Sequence, residues 1–319
     1  MLEIKNLEIS FFDGKKQIRR TDSVSFEVRE GEILALVGES GCGKSITALS
    51  IPGLLARNGR VTGGEILYRG RDLLKLSEKE LDAVRGREIA MIFQDIMYSL
   101  NPVFTIGNQM IEGMRKHLGY SKAQAREEAI RLLERVGIRE SERVMKSYPH
   151  MLSGGMRQRV MIAMALSCKP RMLIADEPTT ALDVTIQLQI MQLLRSLRDE
   201  YGMSILLITH DIALVTEMAD RVVVMYAGQC VEQADTERLL KAPAHPYTRA
   251  LLAAIPDIKH DKSRRLYSIR GAVPENYQDM TGCRFAPRCE LADSCTKCGG
   301  WHTLPDGRTV RCDLAGQEG

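Results

Sequence analysis

The first seventy residues alternate between apolar and polar. LEIKNLEISF (Leu2–Phe11) sets Leu and Ile against charged and polar neighbours, and VSFEV (Val24–Val28) repeats that two-residue period. GGEILYRG (Gly63–Gly70) is a short apolar run framed by glycines. A period of two puts successive side chains on opposite faces of an extended chain, so short strands joined by turns are predicted, with the N-terminal strand at a sheet edge. EILALV (Glu32–Val37), set off from VSFEV by the turn at Arg29-Glu30-Gly31, is apolar without interruption after its first residue. From Ser77 to about Ser153 the period becomes helical. In SKAQAREEAIRLLERVGI, Ala129, Ile130, Leu133 and Val136 share a face, Ser121 and Gln124 form a capping-box pair, and Gly137 fits the end. From Arg157 to about Ala227 helical stretches alternate with the apolar runs RMLIAD, SILLITH and RVVVMYAG. Near-continuous apolar strands alternating with helices predict an α/β fold with a parallel sheet covered on both faces. Past about Glu232 apolar density falls and proline rises, which predicts a boundary there. No long internal repeat or low-complexity segment is visible.

Composition narrows the class. The chain has 319 residues, 44% hydrophobic and 27% charged, enough for one large or two modest globular domains. A net charge of +3 from 44 basic and 41 acidic residues points to neither a strongly basic nucleic-acid binder nor an acidic tail. No apolar run approaches the ~18 residues a membrane-spanning helix needs, and the N-terminus reads as a strand rather than a secretion signal. The cytoplasm is therefore the expected compartment, where cysteines stay reduced and point to metal or catalysis before disulfides. Cys42, Cys168 and Cys230 are scattered, whereas Cys283, Cys289, Cys295, Cys298 and Cys312 crowd together, which predicts a C-terminal element with its own chemistry.

GESGCGKS (Gly38–Ser45) follows the strand ILALV and precedes ITALSIPGLL, read as a helix. It matches G-x-x-x-x-G-K-[ST] in full. Glycines let the backbone wrap closely round an anion with successive N–H groups turned inward, and a helix start adds positive potential. Gly38, Ser40, Gly41, Gly43, Lys44, Ser45 and Ile46 are thus the candidate phosphate cradle, with Lys44 reaching the β- and γ-phosphates and Ser45 binding Mg²⁺. Downstream, RMLIADEP is an apolar strand ending in two carboxylates. Asp176 would hold Mg²⁺ through water, and Glu177 would act as general base on the attacking water. Together the two motifs imply an ATP-binding, Mg²⁺-dependent hydrolase. LSGGMRQRV (Leu152–Val160) adds Ser153, Gly154 and Gly155 at a second helix start, another anion site.

With these motifs in order, residues 1–230 resemble the ATP-binding subunit of ABC transporters. LSGGM-RQR is similar to the ABC signature, Gln94 in MIFQD to the Q-loop glutamine that senses Mg²⁺ and the membrane partner, and TALD with Asp183 to the D-loop. His210 in LLITHD resembles the switch histidine that contacts the γ-phosphate. Phe11, with Phe12 beside it, sits where these proteins place an aromatic ring on adenine. The resemblance implies a P-loop NTPase of ABC type over 1–231, with a mixed β-subdomain, a helical subdomain at about 95–155 and a Cys-rich C-terminal extension over 232–319. It also implies that two such subunits close head to tail on two ATP molecules, so that Ser153 serves the partner's site, and that hydrolysis reopens them. YSLNPVFTIGNQM, just after Gln94, is the expected contact with membrane subunits; internal packing of these apolar residues is the plainer reading.

IFQDIMYSLNP, APAHPYTRALLAAIP (Ala242–Pro256) and GCRFAPRC (Gly282–Cys289) resemble the peptide and nickel importer group, and the whole chain resembles its D-type ATPase of dipeptide and oligopeptide importers. That implies a paralogous ATPase as heterodimer partner, two integral membrane permeases, an extracytoplasmic substrate-binding protein, and a peripheral place on the cytoplasmic face of the membrane. Nickel or a metal chelate is the rival cargo; a soluble ABC ATPase of translation or DNA repair is a rival of another class, disfavoured by the single ATPase unit and the lack of sustained heptads. The cysteine spacing, C-x5-C-x5-C-x2-C-x13-C across 283–312, leaves a [4Fe–4S] cluster, Zn²⁺ and unliganded thiols open. The resemblance favours the cluster, on Cys283, Cys289, Cys295 and Cys312, with Cys298 as rival to Cys295.

Overall fold

The computed structural model describes residues 1–95, 99–180, 182–255, 268–274, 276–295 and 299–315. It forms two compact units, one built from 1–74 with 208–319 and the other from 75–207.

The first unit holds a four-stranded antiparallel sheet of order β2-β1-β4-β5, from β1 (Leu2–Asp13), β2 (Lys16–Val28), β4 (Gly59–Tyr68) and β5 (Arg71–Asp72). β1 is not at an edge as its alternation suggested: it pairs Leu2 with Val28 on one side and with Tyr68 on the other. Its period breaks at Asn6, which has a left-handed φ of 47°, and the register shifts between Ile4 and Leu7. The bulge lets Leu2, Ile4, Leu7 and Ile9 all be buried although their spacing changes mid-strand. The unit also contains the fully buried β3 (Ile33–Val37), parallel to β9 (Arg221–Tyr226), which pairs antiparallel with β10 (Gln229–Asp235). The C-terminal segment joins this sheet, as β12 (Thr309–Val310) pairs with β10 and β11 (His302–Thr303) with β12. Its helices among the described residues are α1 (Lys44–Ser50), α8 (Ile212–Met218), α9 (Thr236–Lys241) and α10 (Pro246–Ala253). α1 is shorter than ITALSIPGLL implies because Pro52 closes it.

The second unit carries α2 (Glu78–Val84), α3 (Ile106–Leu118), α4 (Lys122–Arg135), α5 (Ser141–Lys146), α6 (Gly154–Leu166) and α7 (Val184–Tyr201). The stretch read as wholly helical contains a strand, β6 (Ile89–Ile92), which runs parallel to β7 (Met172–Asp176) from Ile89–Met172 to Ile92–Ala175. Only four residues long, IAMI has no room to show a period. β8 (Ser204–Thr209) lies beside β7 and begins in this unit. At the start of α4, Ser121 Oγ accepts from the Gln124 N–H at 3.3 Å and Gln124 Oε1 accepts from the Ser121 N–H at 3.0 Å, the reciprocal capping predicted from the sequence. Ala125, Ala129, Leu132 and Leu133 turn into the core of this unit. Among the described residues no helix is long and apolar enough to cross a membrane.

Candidate nucleotide site

In the first unit, the loop between β3 and α1 is built as the glycine spacing predicts. Gly38, Gly41 and Gly43 all have positive φ, at 152°, 79° and 103°. A Cβ on Gly38 would lie 2.1 Å from the Met225 carbonyl oxygen of β9, so the loop starts flush against the neighbouring strand. Lys44 is buried, and its Nζ donates to the carbonyls of Gly38 at 2.6 Å and Glu39 at 3.1 Å, folding the cation back over the loop. Ser45 and Ile46 follow in the first turn of α1, beside the buried Thr47, whose Oγ1 donates to the Gly43 carbonyl at 2.8 Å. Cys42 lies in the same loop; burial pushes its thiol up, so it stays a neutral packing group rather than a nucleophile. His210 ends up exposed in the turn after β8. Phe11 pairs with Ile18 and lies across Gly59 of β4, where a Cβ would come within 3.0 Å of its ring. Phe12, beside it, carries the Arg60 guanidinium 5.8 Å from its ring centre.

In the second unit, β7 delivers both carboxylates. Asp176 is its last residue and buried; Glu177 follows with a left-handed φ of 46°, an uncommon conformation for a residue with a side chain. The turn swings its carboxylate out of the strand, where Oε2 accepts from Gln94 Nε2 at 3.1 Å and from Thr180 Oγ1 at 2.9 Å. Two residues 83 positions apart, singled out separately, thus meet. Ser153 caps α6, accepting from the Met156 N–H at 3.3 Å, and Gly154 and Gly155 form the exposed and half-buried first turn. Asp183 caps α7, accepting from the Ile186 N–H at 3.0 Å. Ala181 of TALD, the segment 96–98 of IFQDIMYSLNP, and Pro256 lie outside the described residues.

The C-terminal segment supplies contacts that no motif signalled. HPYTRALL forms α10, capped by His245, whose Nδ1 accepts from the Tyr247 N–H at 3.0 Å. The buried Glu232 carboxylate anchors the entry to that helix, accepting from the N–H groups of Ala244 at 2.8 Å and His245 at 2.9 Å. Tyr247 then reaches the phosphate loop, where its Oη accepts from the Glu39 N–H at 2.9 Å. Burial pushes His245 down to about 3, so its ring is neutral at ordinary pH. Cys283, Cys289, Cys295 and Cys312 all line one small cavity of about 20 Å³, together with His245 and Phe285. His245 Nε2 is buried and faces the Arg311 backbone. Among the described residues, no three His, Cys, Asp or Glu side chains are gathered closely enough to hold an ion directly. Cys298, the rival to Cys295, lies outside the described residues.

Comparison with known proteins fits this arrangement. Residues 21–180 match the family model described as ABC transporter, and residues 231–298 match that described as oligopeptide/dipeptide transporter, C-terminal region. The chain is 51% identical to the oligopeptide transport ATP-binding protein AppD of Bacillus subtilis, over 100% of this chain and 98% of that one. It is 48% identical to the dipeptide transport ATP-binding protein DppD of Escherichia coli, over 98% and 96% of the two chains. A solved dimeric ATP-binding cassette, MJ0796 bound to ADP and Pi after hydrolysis, superposes with a TM-score of 0.67 at 30% identity, covering 74% of this chain and 99% of that one. The phosphate loop, the carboxylate pair and the signature helix therefore sit in an α/β ABC ATPase cassette, and the chain belongs to the ATP-binding subunits of ABC transporters, in the branch that carries the oligopeptide/dipeptide transporter C-terminal region.

Proposed function

We propose that this chain is the ATP-hydrolysing subunit that energises import of di- or oligopeptides through partner membrane permeases. The observation that carries this is the union of an ABC cassette with the oligopeptide/dipeptide C-terminal region, along nearly the whole length of relatives named for oligopeptide and dipeptide transport. Within it, Lys44 and the N–H groups of Gly38, Ser40, Gly41, Gly43, Ser45 and Ile46 bind the ATP phosphates, and Phe11 stacks on adenine. The glycines support that assignment, since a side chain at Gly38 would run into the Met225 carbonyl oxygen and force the loop off β9. Ser45, Asp176 and Gln94 are the residues assigned to Mg²⁺, which neutralises charge on the transferred phosphoryl group when bound. Glu177 takes the proton of the attacking water and His210 contacts the γ-phosphate. Ser153, Gly154, Gly155 and Asp183 serve the nucleotide of a second, paralogous ATPase subunit. The cassette comprises 1–231, with the C-terminal extension over 232–319.

The membrane partners are two permeases, fed by an extracytoplasmic binding protein, with this chain peripheral on the cytoplasmic face. The loop after Gln94 suits such docking. Val103 is 70% exposed and Phe104 51%, and Gln109 holds the loop's backbone, donating from Nε2 to the carbonyls of Asn101 at 3.1 Å and Phe104 at 3.0 Å. Exposed apolar side chains on a braced loop present a ready surface to a partner. ATP hydrolysis by the assembled complex with its binding protein tests the cargo. Short peptides are expected to stimulate it; stimulation by nickel chelates alone would transfer the same engine to metal uptake.

A [4Fe–4S] cluster on Cys283, Cys289, Cys295 and Cys312 completes the reading. Support comes from the cavity that these four cysteines line together. Four soft thiolates suit iron–sulfur chemistry and the group's role is structural. Anaerobic purification should yield about four irons per chain, lost on Cys289→Ser. Zinc in their place, or no metal, would remove the cluster.

A further inference from the structure

We propose that the Cys-rich C-terminal element clamps the phosphate loop and that Arg288 is the positioning residue through which it acts. Arg288 stands immediately before Cys289 in the short helical turn Ala286–Arg288. Its side chain is only 4% exposed, and its fork closes on the carboxylate of Glu39, the second residue of GESGCGKS: Nη1 donates to Oε2 at 2.7 Å and Nη2 to Oε1 at 3.1 Å. The other donors are also used. Nε reaches the Arg270 carbonyl at 2.7 Å, Nη2 the Gly271 carbonyl at 3.2 Å, and Nη1 the Tyr226 hydroxyl at 3.4 Å. The guanidinium lies over the Tyr226 ring, 5.7 Å from its centre. A bidentate fork with every arm occupied fixes the geometry of its partner in a way a single point charge cannot.

Glu39 is thereby held from three sides. Its carboxylate is held by Arg288, its N–H by Tyr247 Oη, and its carbonyl by Lys44 Nζ. When Lys44 turns to a phosphate it gives up the third contact, and the first two, both from the C-terminal segment, are what keep the loop open in its binding shape. A second arginine next to a cysteine braces the other half of the loop. Arg284, following Cys283 and also 4% exposed, donates to the Ala227 carbonyl at 2.6 Å and to Asp22 Oδ2 at 2.6 Å. It thus fixes the β9–β10 turn, whose Gly228 N–H donates to the carbonyl of Cys42 at 3.0 Å. None of these contacts uses a thiol, so the clamp works whatever the cysteines hold. Its geometry is nevertheless set by the two residues they flank, so displacing the cysteine element displaces the loop.

The clamp presupposes that the loop binds ATP, which titration of the unaltered chain reports separately. Full-length Arg288→Ala, Arg288→Lys, Glu39→Gln and the Arg288→Ala/Glu39→Gln double variant are titrated with a fluorescent ATP analogue, and ATP turnover is measured in the assembled transporter. Arg288→Ala and Glu39→Gln are each expected to raise Kd and KM about tenfold or more while kcat changes little. The double variant should be no worse than either single one, because both remove one contact. Arg288→Lys should recover part of the affinity. Unchanged Kd in the single variants, or losses that add in the double variant, would overturn the clamp. Should Arg288→Ala prove insoluble, Glu39→Gln and Arg288→Lys decide it, since the Glu39 side chain is 30% exposed and tolerates the isosteric change. Failure of the unaltered chain to bind the analogue would instead count against the nucleotide assignment itself.

Discussion

Glu177→Gln will bind ATP as tightly as the unaltered chain and hydrolyse it at least ~100-fold more slowly, the scale of a lost general base. The structure makes this substitution unusually clean. Glu177 Oε2 accepts from Gln94 Nε2 and Thr180 Oγ1. A carboxamide oxygen in the same place still accepts both, so the left-handed turn after β7 and its neighbours keep their partners. What disappears is the ability to take a proton from water. The expected readout is therefore split: single-turnover hydrolysis collapses, while thermal stability and ATP affinity hold, and an ATP-loaded closed dimer accumulates in size-exclusion chromatography. Such accumulation follows if ATP favours the closed state and only hydrolysis relieves it. Near-normal turnover would remove Glu177 from the role of base. Equal loss of affinity and rate would mean that its carboxylate organises the site rather than the water. Gln94 shares the consequence, since its amide orients the carboxylate it touches.

That pairing was half legible in the sequence. Glu177 is readable from local context, a second acid after a strand-ending aspartate, and Gln94 only from the resemblance of MIFQD to the Q-loop, but no period or spacing links positions so far apart. The phosphate loop was readable because its chemistry is contiguous: glycine, lysine and serine within eight residues, between a strand and a helix. α4 was readable because apolar period, capping box and terminal glycine agreed. The misreadings share a cause. The alternation of β1 suggests an edge strand because alternation reports which face is buried, not how many strands flank it. β6 vanished into a helical reading because four apolar residues carry no period. HPYTRALL was recognisable as a short helix, but its contact with the loop was invisible: Tyr247 meets Glu39 across 208 positions, and Arg288 meets the same residue across 249. Side chains that act through tertiary contact leave no local signal. An arginine beside a cysteine looks like any surface charge until its fork is seen to be buried and fully occupied.

Gly38→Ala will abolish ATP binding, weakening it by more than ~100-fold, whereas Gly41→Ala in the same loop will cost far less. Both glycines have positive φ, so both variants carry backbone strain of ~1–3 kcal/mol. Only Gly38 is also enclosed. Its added methyl would sit 2.1 Å from the Met225 carbonyl oxygen and 2.9 Å from Cys42 Sγ, whereas a methyl on Gly41 meets nothing within 4 Å. The Met225 oxygen belongs to β9, whose hydrogen bonds to β3 and β10 stop it from yielding, so the loop must move instead. Overpacking of this kind adds ~1–3 kcal/mol. The sum is several kcal/mol against a folding stability of ~5–15 kcal/mol, so the variant should fold with a lowered Tm. Displacement of the loop carries Gly38's own carbonyl with it, and that carbonyl is the 2.6 Å acceptor of Lys44 Nζ. The cation and the N–H groups that follow then no longer converge on one anion, and a phosphate chain that needs all of them at once loses more than the strain alone would predict. ATP titration of the two variants beside their melting curves checks this. Equal losses at Gly38 and Gly41 would show that flexibility, not contact with β9, governs the loop. A Gly38→Ala protein that still binds ATP would show that the phosphates rest on α1 and Lys44 without the loop's fixed approach to the sheet.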